Sequence, residues 1–238
     1  QQNLHFQQWI QIVQNMGFEW ARDCIHVPFG LVSLEEGTMS TRHGRVVFLE
    51  DVLNKAVEQT RQIIMEKNVN TDNVEITARQ VGIGAVIFNE LSNGRIKDYV
   101  FSWDKILNFD GETGPYVQYT HARAASVLRN GGFEPEQQKS LIQTAGAVIQ
   151  ESDSGYDLAR LIYAFPEVVR EAALKYEPSV ITRHVVNVAQ AFNRFYHNEH
   201  ILVEDPKERA AKLLITYAAK QTIKNGLLLL GMEVPERM

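Results

Sequence analysis

Apolar residues recur at helical spacing over most of this chain and alternate over little of it. Leu4, Trp9, Ile12, Val13 and Met16 share one face of a helix over residues 1–16, with Gly17 placed to end it. Cys24–Val27 reads as a short buried strand closed by Pro28, and Leu31–Thr41 as a surface loop. Arg45–Leu49 is a second short extended run. A helix from Glu50 to Lys67 follows, with Val52, Leu53, Ala56, Val57, Ile63 and Ile64 on its apolar side. Asp72–Glu75 has the form of a capping box and opens a helix to about Asn89. Gly82 and Gly84 inside it indicate close backbone packing; the alternative, a phosphate-cradling loop, lacks the strand-turn-helix context. Leu91–Arg95 is a turn, and Asp98–Trp103 alternates as a strand would.

The second half reads almost wholly as helix. Asp110-Gly111 is a turn, and Thr113-Gly114-Pro115 starts a helix that ends at Asn130-Gly131-Gly132. Its first two turns crowd together Tyr116, Gln118, Tyr119, His121 and Arg123, which a plain core helix would not carry. The bland reading is a boundary helix whose polar tips are satisfied. A helix from Glu134-Pro135 to about Ile149 comes next, then a polar link at Glu151–Gly155. Tyr156–Lys175 is helical, with Pro166 expected to kink or split it. Pro178 opens a helix to Asn198, and Asp205-Pro206-Lys207-Glu208 caps a last one that ends at Gly231. Helices joined by short links make a bundle.

Composition narrows the class without naming a chemistry. The chain has 238 residues, enough for one large or two small domains, and is 45% hydrophobic and 22% charged, as soluble globular proteins are. No apolar run approaches the length of a membrane span, and no leader-like pattern opens the chain. The single cysteine, Cys24, rules out an internal disulfide and fits a reducing compartment, so a cytoplasmic location is expected. The seven histidines are scattered, and no metal site is expected. The net charge of −5 excludes a generally basic nucleic-acid binder. Residues 1–155 carry −6 and residues 156–238 carry +1, which makes the second half the likelier face for a polyanion.

Four blocks carry a resemblance. The run Phe109-Asp110-Gly111-Glu112-Thr113-Gly114-Pro115-Tyr116-Val117-Gln118-Tyr119-Thr120-His121-Ala122-Arg123 resembles the stretch that leads out of the catalytic domain in arginyl-tRNA synthetases, a class I family. Gly37-Thr38-Met39-Ser40-Thr41-Arg42-His43-Gly44 is similar to the family's KMSKS-type loop, usually Lys-Met-Ser-Thr-Arg-Lys-Gly in arginyl enzymes. Thr38 and His43 stand where lysines are usual. Gln2-Asn3-Leu4-His5-Phe6 is similar to the family's Gln-x-Leu-His-Phe, and His26-Val27-Pro28-Phe29-Gly30 to its His-Val-x-Phe-Gly segment. The tail, from Glu177-Pro178 to Pro235-Glu236-Arg237-Met238, is similar to a DALR-type anticodon-binding bundle, although its namesake tetrapeptide reads Val180-Ile181-Thr182-Arg183 here.

The resemblance implies a mostly α fold with a small α/β part. Residues 1–110 would be the C-terminal part of a Rossmann-like class I catalytic domain with its KMSKS-type loop and a stem-contact region. Residues 111–238 would be an all-α anticodon-binding helical bundle. It implies arginine–tRNA ligation: ATP and Mg²⁺ as substrates with no tightly bound cofactor, and L-arginine and tRNA(Arg) as partners of a monomer. Met39, Ser40, Thr41 and Arg42 would act on the reacting phosphates through electrostatics. Val27, Phe29, Gly30, His43 and Gly44 would bind ATP, and Gln2 and His5 the arginine. His26 fits either the adenine site or a satisfied strand position. Tyr217, Met238 and Tyr196 would stack on RNA bases, with Arg194 and Lys224 on phosphates and Tyr116 and Arg123 at the stem or junction. Phe192 and Tyr196, at i and i+4, are also consistent with a helix core.

No His-x-Gly-His occurs in the chain. The N-terminal catalytic half is therefore expected to lie outside these residues, whether truncated or supplied by a partner, and the isolated chain to lack adenylation. The rival reading is a non-catalytic tRNA-binding or interaction module that kept the bundle while its ATP loop changed. A helical scaffold with no RNA role is the blandest alternative.

Overall fold

The computed structural model describes residues 2–34, 48–67, 71–109, 111–134 and 145–238. The loop signature Gly37–Gly44, with Met39, Ser40, Thr41, Arg42, His43 and Gly44, lies outside the described residues, as does Asp110. Among the described residues the helices are α1 (Asn3–Asn15), α2 (Leu49–Glu66), α3 (Val74–Ser92), the single-turn α4 (Trp103–Ile106), α5 (Gly114–Asn130), α6 (Asp153–Lys175), α7 (Ser179–Asn198) and α8 (Pro206–Leu229). Residues 145–150 are also helical. Strands β1 (Val32–Leu34) and β2 (Tyr99–Phe101) pair in parallel, Val32 opposite Tyr99 and Leu34 opposite Phe101.

The helix starts follow the caps written in the sequence, except that α3 is capped by Asn73, one residue inside the capping box read at Asp72–Glu75. Asn73 Oδ1 accepts the Ile76 amide at 3.0 Å, Thr113 Oγ1 accepts that of Tyr116 at 3.2 Å, and Asp205 Oδ1 accepts those of Lys207 and Glu208 at 2.9 and 2.8 Å. Ser152 caps α6 in the same way, so the expected polar link at Glu151–Gly155 is already helix from Asp153 onward. Pro166 lies inside α6 and does not split it. The lost amide leaves the rest of the ladder in place while α6 packs along α7.

Two expectations fail in the first 50 residues. Cys24–Val27 is not a buried strand: the segment carries no assigned structure, and Ile25 is 58% exposed. No strand among the described residues lies beside it to take up its backbone groups. Most of the extended run expected at Arg45–Leu49 lies outside the described residues; of the rest, Phe48 is extended and Leu49 begins α2. Conversely, β1 forms within a stretch read as loop. Its partner is 67 residues later in the chain, and such a pairing leaves no local signature.

The core joins α3, α5, α6, α7 and α8 around Phe88, Val117, Leu158, Val185, Phe192, Phe195, Ile223 and Leu227. The paired Phe192 and Tyr196 divide: Phe192 is core and Tyr196 faces solvent. Gly82 and Gly84 are packing glycines. A Cβ on Gly82 would sit 2.8 Å from the Ala56 carbonyl of α2, and one on Gly84 2.8 Å from Gln118 Nε2. Both lie mid-helix, which removes the phosphate-loop alternative. The helix α1 forms as expected but buries none of its side chains, so its apolar face is open.

Candidate functional site

The first two turns of α5 separate by face. Gln118, Thr120 and His121 turn inward and are fully buried, while Tyr119 and Arg123 face out. The inward groups hold the C-terminal tail. Gln118 Nε2 donates to the carbonyls of Glu233 at 2.8 Å and Gln80 at 3.1 Å, and His121 Nδ1 lies 3.0 Å from the Pro235 carbonyl. Arg129 donates to the Glu236 carbonyl at 3.1 Å, Lys220 pairs with the Glu236 carboxylate at 2.7 Å, and Arg237 pairs with Asp72 at 2.6 Å. The crowding of polar groups in this helix is therefore a latch that lays Glu233–Met238 along α5.

The latched tail makes two adjoining clefts. One, of about 540 Å³, is lined by Tyr119, Arg123, Arg129, Tyr196, Arg237 and Met238, among others. The Arg123 guanidinium stands 4.8 Å from the Tyr119 ring centre and 5.7 Å from that of Tyr196, and donates to Asn193 Oδ1 at 2.8 Å. It is thus set between two rings with its orientation fixed. The second cleft, of about 580 Å³, is lined by Phe133, Tyr217, Lys220, Glu236 and, again, Arg129 and Arg237. Phe133 and Tyr217 pack with ring centres 5.4 Å apart. Two arginines thus stand on the wall between a cationic, tyrosine-sided cleft and one floored by aromatic rings. Such a pair of clefts suits splayed bases joined by a phosphate.

Of the residues expected to meet RNA, the structure brings Tyr196, Arg123 and Met238 to the first cleft and Tyr217 to the second. It does not bring in the others. Arg194 is exposed on α7 outside both linings, and Lys224 is on α8, a turn beyond Lys220. Tyr116 is turned to the interior, where its hydroxyl accepts from Asn193 Nδ2 at 2.9 Å. Tyr119, Arg129, Phe133, Lys220 and Arg237 were missed. Tyr119 lies four residues before Arg123, and Arg237 sits in the Pro-Glu-Arg-Met end, so both had a signal in the sequence.

In the first 34 residues, Gln2 and His5 are exposed at the start of α1. His5 packs edge-on to Phe6, which stacks at 4.2 Å on His26, and the His26 ring is 3.0 Å from Asn3 Oδ1. His26 is thus a partnered histidine tying α1 to the following segment. Phe29 is 81% exposed. Gly30 donates its amide to the Arg95 carbonyl at 2.8 Å, and a Cβ there would lie 2.5 Å from the Lys97 carbonyl, so the position requires glycine. Among the described residues no group of His, Cys, Asp and Glu could hold a metal, and no helix is long and apolar enough to cross a membrane.

Comparison with known proteins decides the family. The chain matches the family described as DALR anticodon binding domain over residues 117–238, and that described as tRNA synthetases class I (R), catalytic domain, over residues 1–103. This chain belongs to the arginyl-tRNA synthetase family. It is 54% identical to the arginine–tRNA ligase of Halothermothrix orenii and 53% identical to that of Clostridioides difficile, each over the whole chain and 41% of the relative. It therefore spans about two fifths of the length of these arginyl-tRNA synthetase relatives. The arginyl-tRNA synthetase of Thermus thermophilus superposes with a TM-score of 0.80 at 31% identity, covering 92% of this chain and 36% of that one. That of Plasmodium falciparum, at 20% identity and a TM-score of 0.76, covers 100% of this chain and 40% of its own, and shares the fold.

Proposed function

We propose that this chain is the C-terminal part of an arginine–tRNA ligase, which activates L-arginine with ATP and Mg²⁺ and transfers it to tRNA(Arg). The observation that carries the reading is the pair of clefts beside Met238, with Arg129 and Arg237 between them, in a chain of this family. Each cleft takes one unstacked base. Tyr119 and Tyr196 flank the first base and Phe133 and Tyr217 support the second, while Arg129 and Arg237 meet the phosphate that links them. Arg194 and Lys224 lie outside the clefts and serve flanking backbone. We divide the molecule in the turn ahead of Thr113, with residues 1–110 on the catalytic side and residues 111–238 as the RNA-binding bundle.

On the catalytic side, Val27, Phe29 and Gly30 present an exposed, aromatic-bearing segment for the adenine of ATP, and Gln2 and His5 face the arginine. Met39, Ser40, Thr41 and Arg42 act on the reacting phosphates, and His43 and Gly44 bind ATP with them. The open apolar surface of Leu4, Trp9, Ile12, Phe18, Trp20 and Ile25 is the face on which the remaining catalytic half packs. The working protein is a cytoplasmic monomer.

The test is binding of a tRNA(Arg) transcript to the 238-residue chain. Salt-sensitive binding that weakens when Arg123 and Tyr196, or Tyr217 and Met238, become alanine supports the reading; unaltered binding in these folded variants overturns the clefts as the site. The chain alone should give ATP–pyrophosphate exchange at background, and exchange above background would contradict the need for a second half. Thr38 and His43 favour a second reading, a non-catalytic tRNA-binding module. If lysine at both positions leaves the activity of the full-length protein unchanged, the loop is not limiting.

A further inference from the structure

Arg95, in the turn between α3 and β2, bonds to two separate parts of the chain, residues 28–30 and residues 176–177. Its side chain donates from one terminal nitrogen to the Pro28 carbonyl, and from Nε to the Tyr176 carbonyl at 2.9 Å. Its backbone amide donates to both carboxylate oxygens of Glu177 at 3.3 Å, and its carbonyl accepts the Gly30 amide at 2.8 Å. The acceptor on the bundle side is itself unusual. Tyr176, at the corner between α6 and α7, has φ 51° and ψ 40°, a left-handed conformation found at no other non-glycine residue among those described. That conformation ends α6 and turns the carbonyl outward to the arginine.

The other bonds in the region run the same way. The Leu31 amide donates to Asp98 Oδ1 at 2.7 Å, the Tyr99 amide to the Leu31 carbonyl at 3.1 Å, and Ser33 Oγ to the Tyr99 carbonyl at 3.3 Å. Residues 28–33 are therefore held by residues 95–99, and of these it is Arg95 that reaches across to the bundle, at Tyr176 and Glu177. A lysine could not replace it: one ammonium lacks the planar fork that meets two carbonyls on separate segments at once.

We propose that Arg95 is a positioning residue that sets the segment Val27–Gly30 on the Tyr176–Glu177 corner of the bundle, and so orients Phe29 for its nucleotide. The proposal rests on the reading of Val27–Gly30 as the adenine-contacting segment. It is independent of where RNA binds.

Two measurements test it separately. The first is amide exchange at Gly30 and Leu31 in the 238-residue chain without ligand. Arg95→Ala and Arg95→Lys should both speed exchange at these amides by at least roughly tenfold, the effect of losing a hydrogen bond to a charged group. Glu177→Ala removes the acceptor of the backbone amide at residue 95, which Arg95→Ala keeps, so it should speed exchange in either background, and the double variant should exchange fastest. Unchanged exchange in Arg95→Ala, full retention in Arg95→Lys, or no effect of Glu177→Ala in either background would each overturn the clasp. Tyr176→Gly, which keeps the carbonyl and relaxes the left-handed backbone, should leave exchange slow and guards against misfolding as the cause. The second is steady-state kinetics of the full-length protein. Arg95→Lys should raise the KM for ATP roughly tenfold while kcat changes little. An unchanged KM alongside faster exchange at Gly30 would overturn the adenine role of the segment, and the positioning role with it, while leaving the clasp as structure.

Discussion

The Nδ1–H of His121 donates to the carbonyl oxygen of Pro235 across 3.0 Å, 114 residues along the chain, and the ring is sealed from solvent. With Nδ1 used in this way, Nε2 is the bare nitrogen. It has no hydrogen-bond partner and stands 3.9 Å from Glu236 Oε1. This bond fixes the tail that walls both clefts, so the state of one imidazole bears on the shape of the proposed RNA site.

Burial pushes the His121 pKa down to about 4; Lys220 and Lys224 add to the effect, and the Pro235 carbonyl and Glu236 oppose it. A folded value below the unfolded one means that the unfolded chain binds the proton first. Stability conferred by neutral His121 is therefore complete above about pH 6.5 and declines as pH falls from there toward 4, by up to about 3 kcal/mol. Urea midpoints taken from pH 7 to pH 4 should fall more steeply for the wild type than for His121→Gln. Equal slopes would show that this histidine does not carry the dependence.

Lys212 is buried on α8 between Glu208 at 2.8 Å and Glu199 at 3.0 Å, and it also donates to the His200 carbonyl at 3.2 Å. Ser152, the cap of α6, bonds the same Glu199 at 2.7 Å. Lys212→Met removes the cation and leaves Glu199, 22% exposed, without a charge partner, though still bonded to Ser152. We expect a loss of about 3 kcal/mol in denaturant unfolding, as for other broken buried pairs. A loss under about 1 kcal/mol would place this cluster with ordinary surface pairs.

Two glycines set helix approach. A Cβ on Gly226 would lie 2.2 Å from Val185 Cγ1, and one on Gly82 would meet the backbone of Ala56 and Val57 at 2.8 Å. Gly226→Ala and Gly82→Ala should each destabilise by roughly 1–3 kcal/mol despite the better helix propensity of alanine. Gly82→Ala is the harsher test, since the obstacle is backbone and not a side chain able to turn. A raised Tm for either variant would contradict the close approach.

The arginines between the two clefts should behave as phosphate contacts. Arg129→Gln and Arg237→Gln are expected to weaken tRNA binding and each to reduce the slope of log affinity against log salt by about 1. Arg194→Gln, outside both clefts, should change the slope less. Equal effects at all three positions would assign the RNA contact to diffuse charge and not to these clefts.

The sequence by itself determined most of the helices among the described residues, because their signals are local; α4, which begins where a strand was read, was not among them, and residues 135–144 of the helix expected from Glu134-Pro135 lie outside the described residues. Thr113, Asp205 and Asn73 cap within three residues of their own position, and apolar residues at helical spacing mark which faces sink. The family blocks were legible for a related reason, as runs of consecutive side chains such as Phe109–Arg123. Contacts between distant segments were decided by the tertiary structure. The parallel pairing of Val32 with Tyr99, the latch of Gln118 and His121 on the tail, and the reach of Arg95 to Tyr176 each join residues 67 to 115 positions apart. Phe192 and Tyr196 lie one turn apart, yet one fills the core and the other lines a cleft. Periodicity assigns a residue to a face only to within the width of a side chain, and what that face meets depends on how helices from the rest of the chain settle against it.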